Sequence, residues 1–195
     1  MKSISNSEKL IQWADSKIDG LEVSSDDGPR IVASCLDMAL EHQKAIILLI
    51  ANKLYGSAFA LIRLLFEAYV RGLWLNYCAN DKEINKFKKD KIDKEFGKLI
   101  EDIEQVDGYN VGTLSKAKKA GWKVMNSFTH SGFNQIVRRN TTSTIEPNYE
   151  EEEIEEAISF TNAIGLLSCL EISFLAKKNE LSIEILEKIK EIKIP

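Results

Sequence analysis

Three charged side chains recur at a spacing of four within an otherwise apolar segment of the chain. Residues 60–75 have the sequence ALIRLLFEAYVRGLWL, and their charged members are Arg63, Glu67 and Arg71. In an α-helix a step of four residues turns by only about 40°, so the three side chains form one strip along the helix. Because the other faces of this helix are apolar, we expect it to be buried and its charges to be paired.

The strip permits two interpretations, and the sequence leaves both open. In the first, Glu67 bridges Arg63 and Arg71 in a structural ion ladder that joins helices or holds a dimer interface. In the second, the strip lines a pocket whose excess positive charge binds an anionic group such as phosphate. Arginine suits this second role because its planar guanidinium group can donate two parallel hydrogen bonds to phosphate oxygens.

A histidine in a polar turn is the second candidate for chemistry. His130 lies in FTHSGFNQIVRR (residues 128–139), where a predicted helix gives way to a Ser-Gly turn. Its imidazole could act as a general acid or base on a phosphodiester. In that scheme Arg138 or Arg139 would hold the phosphate, and Gln135 would add an amide contact. Alternatively, His130 caps the end of the helix while the two arginines are solvated.

Composition and charge restrict the possible classes of protein. The net charge of −4 provides no global attraction for nucleic acid, so RNA binding would require a local basic patch. Cys35, Cys78 and Cys169 form no CxxC pair, which favours reduced core thiols in a cytoplasmic protein. The sequence indicates neither a signal peptide nor a membrane span. It contains no motif for a catalytic metal or a phosphate-binding glycine loop, so we predict no metal and no cofactor.

Helical periodicity and the scarcity of proline predict an all-α protein with a single domain over residues 1–195. We expect an antiparallel bundle of about five to seven helices, with two long central helices forming a hairpin. The predicted helices cover residues 5–19, 29–53, 58–78, 113–128, 149–178 and 181–192. The highly charged segment 80–108 is expected to form one or two projecting surface helices, and 129–148 a loop with one helical turn.

Local signals predict where several of these helices begin. Asp27 or Gly28 is expected to cap the helix that follows residue 28. Gly56 is expected to adopt a left-handed conformation in the hairpin turn, with Ser57 capping the next helix. Asn148, with Glu151 three residues later, has the spacing of a capping box.

Four sequence blocks carry a resemblance to a known group of proteins. They are EHQKAIILLI, SAFALIRLLFEAYVRGLWL, THSGFNQIVRR and PNYEEEEI, within residues 30–175. These blocks resemble an uncharacterised bacterial family of all-helical proteins about 200 residues long. That resemblance implies the fold and no particular activity.

A more distant resemblance connects the hairpin of long helices and the following histidine to the HEPN superfamily. Many members of that superfamily are metal-independent ribonucleases that act as dimers in toxin–antitoxin and phage-defence systems. Their catalytic signature is an arginine followed after four to six residues by a histidine on one helix. Here Lys123 lies seven positions before His130, and the arginines Arg138 and Arg139 follow the histidine.

These observations predict a cytoplasmic homodimer of a bacterial defence or stress system that binds nucleic acid or nucleotide and cleaves RNA without metal. The predicted catalytic residues are His130 and Arg71, and the predicted binding residues are Arg63, Glu67, Gln135, Arg138 and Arg139. A rival hypothesis is a non-catalytic interaction module, such as an immunity-like subunit from the same operon. Its strip would be structural, and its acidic segment 150–156 would contact the partner. A third hypothesis is a sensor of an anionic small molecule.

Overall fold

The computed structural model describes residues 2–191, and this part of the chain forms nine α-helices and no β-strand. The helices are α1 (Lys2–Ile18), α2 (Asp27–Ala51), α3 (Tyr55–Tyr77), α4 (Asp81–Phe87), α5 (Phe96–Ile103), α6 (Thr113–Thr129), α7 (Phe133–Val137), α8 (Glu151–Leu175) and α9 (Asn179–Glu191). The prediction of an all-α bundle is confirmed. The count of nine includes the short helices α4, α5 and α7, which lie in the segments predicted as one or two surface helices and as a loop with one helical turn.

Two long helices, α2 and α3, form the predicted antiparallel hairpin. Only residues 52–54 connect them, and Lys53 adopts the left-handed conformation with φ 60°. Further along, Gly72 brings the two backbones close together. A Cβ atom at Gly72 would lie 3.0 Å from Cδ2 of Leu36. The absence of a side chain at residue 72 therefore allows close helix packing.

Several predicted helix starts were wrong by one to three residues. Gly56 and Ser57 lie inside α3, whose N-cap is Leu54, because Lys53 already closes the hairpin turn. The N-cap of α2 is Asp26 rather than Asp27 or Gly28. Each of these misplaced starts lies beside the position that the sequence favoured, so the helices themselves are unaffected.

The N-terminus of α8 was also predicted at the wrong residue. The carboxylate of Glu153 accepts a hydrogen bond from the backbone N–H of Glu150, the N-cap residue (3.3 Å). The predicted pair of Asn148 and Glu151 therefore does not form the capping box. The shift follows from the run of glutamates, which offers a carboxylate at several equivalent spacings.

Helix α8 passes through the centre of the bundle. Among the described residues it alone is long and apolar enough to cross a membrane, but 72% of its most apolar window is buried inside the protein. This burial is compatible with a soluble protein. At Gly165 the helix touches α2, since a Cβ atom there would overlap the carboxamide of Gln43. Gln43 and Asn162 belong to a buried polar chain that continues to Ser7 of α1.

The charged segment 80–108 was expected to project from the bundle. Its helix α5 instead packs against the core. Leu99, Ile100 and Ile103 of α5 are fully buried in the core. The indole N–H of Trp74 on α3 donates a hydrogen bond to Asp102 of α5 (2.8 Å). The apolar residues of α5 therefore hold this segment against the core, and of its two helices α4 is the one without a buried residue.

Candidate functional site

The structure brings Arg63 and His130 into direct contact, although 67 positions separate them in the chain. Arg63 lies on α3, and Nη1 of its guanidinium group is 3.0 Å from Nε2 of the His130 imidazole. Because arginine is a donor only, Nε2 must accept this hydrogen bond, and the ring proton then lies on Nδ1. His130 is the C-cap residue of α6, and its ring is exposed to solvent. The pair therefore lies at the surface, where a ligand can reach both side chains.

An aromatic stack and a carboxylate hold the Arg63 side chain in place. The guanidinium carbon lies 5.0 Å from the centre of the Trp122 ring, and Nε donates a hydrogen bond to Glu67 Oε1 (2.8 Å). Trp122 in turn stacks on Phe96 of α5, with ring centres 4.4 Å apart. Cation–π contact and the ion pair together restrict the arginine to one orientation. Trp122 was missed in the sequence because its role depends on three helices meeting.

The charged strip on α3 is partly exposed, so the prediction of a buried strip was wrong. The side chains of Arg63 and Glu67 are 22% and 18% exposed. Glu67 pairs with Arg63 and does not bridge it to Arg71, in contrast to the ion ladder of the first interpretation. Arg71 forms no ion pair within residues 2–191, and its Cα lies about 12 Å along the helix axis from that of Arg63. The structure therefore joins Arg63, rather than Arg71, to His130.

The turn after His130 has a tightly defined backbone. Ser131 adopts the left-handed conformation with φ 52°. The N–H of Gly132 donates to the carbonyl of Ser127 (2.6 Å), and the Ser127 hydroxyl accepts the N–H of Asn134 (3.2 Å). A Cβ atom at Gly132 would lie 2.5 Å from the Ser127 hydroxyl oxygen. Glycine is required here because the backbone passes directly over Ser127.

The remaining predicted site residues lie on or beside α7 and are only partly available. Arg138 donates to both carboxylate oxygens of Glu153, and this hydrogen bonding lowers the pKa of Glu153. Gln135 donates to the carbonyl of Gly56 at the start of α3 (3.2 Å). Arg139 is exposed and forms no ion pair within residues 2–191. Of these three side chains, Arg139 alone remains available for a ligand.

The histidine and cysteines outside this region occupy the interior or its margin. His42 is partly buried, and burial lowers its pKa. Cys35 and Cys169 are buried and free, and desolvation raises their pKa values to about 11 and about 12. Cys78 is also free and partly buried. Such thiols are protonated at neutral pH and are poor nucleophiles.

A buried glutamate forms a second polar cluster, which the sequence analysis missed. Glu171 of α8 is 2% exposed and accepts hydrogen bonds from the hydroxyl groups of Tyr77 (2.7 Å) and Tyr109. Desolvation raises the pKa of Glu171 despite these bonds. It is the one charged residue between Glu156 and Lys177. A single charge in so long an apolar segment was the sequence signal that could have indicated a buried polar cluster. The cluster attaches the connection between α5 and α6 to the core.

We expect the Glu171→Gln variant to gain stability relative to the wild type as the pH rises above about 4.5, the ordinary pKa of glutamate. A raised pKa in the folded state means that the favourable contribution of the protonated form is complete below the unfolded pKa. That contribution is lost as the pH rises through the folded pKa. Urea unfolding of both proteins from pH 4 to pH 8 measures the difference. A difference that does not vary with pH would contradict the expectation.

Within residues 2–191 no group of three or more histidine, cysteine, aspartate or glutamate side chains is arranged to hold a metal ion. A family model of unknown function, DUF6988, matches residues 36–193. The chain belongs to the DUF6988 family. DUF6988 membership confirms the predicted resemblance to an uncharacterised family, over a range close to the expected 30–175. No curated protein and no solved structure matches this DUF6988 member.

Proposed function

We propose that this protein binds RNA at Arg63 and His130 and cleaves it without a metal ion. The observation that carries the proposal is the 3.0 Å contact between the guanidinium group and the imidazole across α3 and α6. It combines a phosphate-binding cation with a potential general base at an exposed position. The proposal includes the HEPN-like character inferred from the sequence, with a cytoplasmic homodimer acting in bacterial defence or stress.

The geometry suggests how the HEPN resemblance could extend to the site. In that superfamily one helix supplies both the arginine and the histidine. Here we propose that Arg63 of α3 takes the role of the arginine, while His130 at the end of α6 supplies the imidazole. Arg71, predicted as catalytic, would then bind a neighbouring part of the ligand, because it lies too far along α3 to share one phosphate with His130.

The proposed reaction is an internal transfer at phosphorus. A phosphate of the RNA displaces Nε2 from Arg63 and takes the guanidinium hydrogen bond. The Nε2 atom of His130 then accepts the 2′-hydroxyl proton as O2′ bonds to phosphorus. The bond between phosphorus and O5′ breaks, and the leaving oxygen takes a proton from the imidazolium. Arg63 stabilises the negative charge that develops on the phosphate oxygens.

Identifying the products tests this chemistry. We expect single-stranded RNA incubated with the protein and EDTA to yield fragments ending in 2′,3′-cyclic phosphate and 5′-hydroxyl groups, as read by mass spectrometry. The same oligonucleotide with 2′-O-methyl groups lacks the nucleophile and should remain intact. Intact RNA, or fragments with 3′-hydroxyl and 5′-phosphate ends, would contradict the proposed reaction.

A second candidate function is the interaction module from the same operon. An exposed apolar face on α7 favours it, because Phe133, Ile136 and Val137 are 78%, 49% and 41% exposed. Their spacing places all three on one side of the helix. Exposed glutamates 151 and 152 at the start of α8 belong to the acidic segment assigned to a partner in that hypothesis. Intact RNA in the product assay would favour this second function.

A further inference from the structure

Helix α6 is a strongly basic element in a protein whose net charge is negative. It carries four lysines and no acidic residue, whereas the whole chain has a net charge of −4. The lysines are Lys116, Lys118, Lys119 and Lys123. None of them forms a salt bridge within the described part of the chain. Four unneutralised charges on one helix create a local positive field.

Three of these lysines share the face of α6 that leads to the candidate site. At about 100° per residue, Lys116, Lys119, Lys123 and His130 fall within an arc of about 60°. All four side chains are exposed. Lys118 faces elsewhere, since its Nζ lies beside Gly97 of α5. With a rise of about 1.5 Å per residue, the stripe from 116 to 130 is about 21 Å long.

Carboxylates contact α6 at its first turn and along a groove on the side away from the lysine stripe. Glu104 is bound to the first turn through the backbone N–H and the hydroxyl of Ser115. Glu153 and Glu156 line a groove with Ala120 and Val124. On the helical wheel the centre of that groove lies more than about 90° from the lysine stripe. From Lys116 to Lys123 the stripe is not interrupted by any acidic residue of α6, and it ends at the Arg63–His130 pair, where Glu67 accepts a hydrogen bond from Arg63.

We propose that the stripe of Lys116, Lys119 and Lys123 is the track along which the RNA backbone lies on its way to His130. The inference rests on the proposed function and names the surface that binds the polymer outside the reacting phosphate. Lysine provides a mobile point charge that contacts phosphates of any sequence, so the track contributes affinity without base selection. A stripe one side chain wide fits a single strand.

Salt dependence of binding distinguishes this track from a general effect of charge. The probe is a labelled single-stranded 2′-O-methyl RNA, which the proposed reaction cannot cleave. We compare the wild type, the Lys116→Gln/Lys119→Gln/Lys123→Gln variant, and a control with Lys82→Gln/Lys86→Gln/Lys89→Gln. The control removes the same charge from exposed positions on α4 and the turn after it. Circular dichroism checks that all three proteins remain folded.

We expect the plot of log affinity against log salt concentration to become shallower by about 2 for the α6 variant, because each lost contact to a single strand removes about 0.7. The control should keep the slope of the wild type. Three results would each overturn the proposed RNA track. They are equal slopes for the two variants, no binding of the probe by the wild type, and lysine-dependent binding to phosphatidylserine vesicles in place of RNA.

The result is separable from that of the product assay. RNA cleavage with unchanged slopes would reject the track alone. A slope that depends on the three lysines, together with intact RNA, would reject the cleavage reaction and keep the track as a binding surface.

Discussion

Replacing His130 with alanine is expected to lower the rate of RNA cleavage by a factor of about 10² to 10⁴, the usual contribution of a general acid–base group. In the proposed reaction the imidazole beside Arg63 both accepts the 2′-hydroxyl proton and returns a proton to the leaving oxygen. Its loss should leave the folded protein intact, because His130 is an exposed residue at the end of α6. Single-turnover kinetics with saturating protein measures the chemical step directly.

The other histidine provides a matched control for this variant. His42 lies on α2 and is partly buried, and His42→Ala should leave cleavage unchanged once the folded fraction is taken into account. Arg63→Gln should reduce the rate by about 10² to 10³ if the guanidinium stabilises the transition state. Equal rates for the wild type and the His130→Ala variant would remove the imidazole from the mechanism.

The Gly165→Ala variant is expected to lose about 2–3 kcal/mol of unfolding free energy, near the upper end of the usual cost of overpacking a core. A Cβ atom at this position would overlap the carboxamide of Gln43. That carboxamide cannot easily swing away, because Gln43 is 2% exposed and its Nε2 points to Asn162 (3.5 Å). Chemical denaturation of both proteins gives the difference.

A second substitution tests whether Gln43 is the cause. Gln43→Ala removes the overlapping atoms, so the double variant should lose less stability than the sum of the two single variants. Gly97→Ala serves as a control in α5, where the added atom would meet only the end of the flexible Lys118 side chain. That change should be neutral or slightly stabilising. Additive losses at Gly165 and Gln43 would show that another contact limits the α2–α8 packing.

The helices were predictable because burial imposes a visible period on the sequence. The α2–α3 hairpin follows from two long apolar segments joined by a short connection. Helix ends were less predictable, since a cap depends on one backbone conformation. Lys53 adopts φ 60° where glycine would usually be expected, and its neighbour Gly56 does not. Residue types alone cannot show that a lysine, and not the nearby glycine, adopts the left-handed conformation.

The sequence predicted which residues belong to the candidate site better than it predicted which of them contact each other. The strip on α3 indicated Arg63, and the polar turn indicated His130, but their contact depends on how α6 packs against α3. The pairing of Arg138 with Glu153 depends likewise on a fold that brings α7 to the start of α8. The lysines of α6 were overlooked because a net charge averaged over the whole chain conceals a local excess.

The tight turn that follows α6 determines how the imidazole at its end meets a ligand. Ser131 in its left-handed conformation and the bonds from Ser127 fix the direction in which the chain leaves His130. The conformational entropy of this segment is therefore lost during folding and not when a ligand arrives. A ligand that binds there meets a backbone that is already ordered, so its affinity is not diminished by ordering the loop.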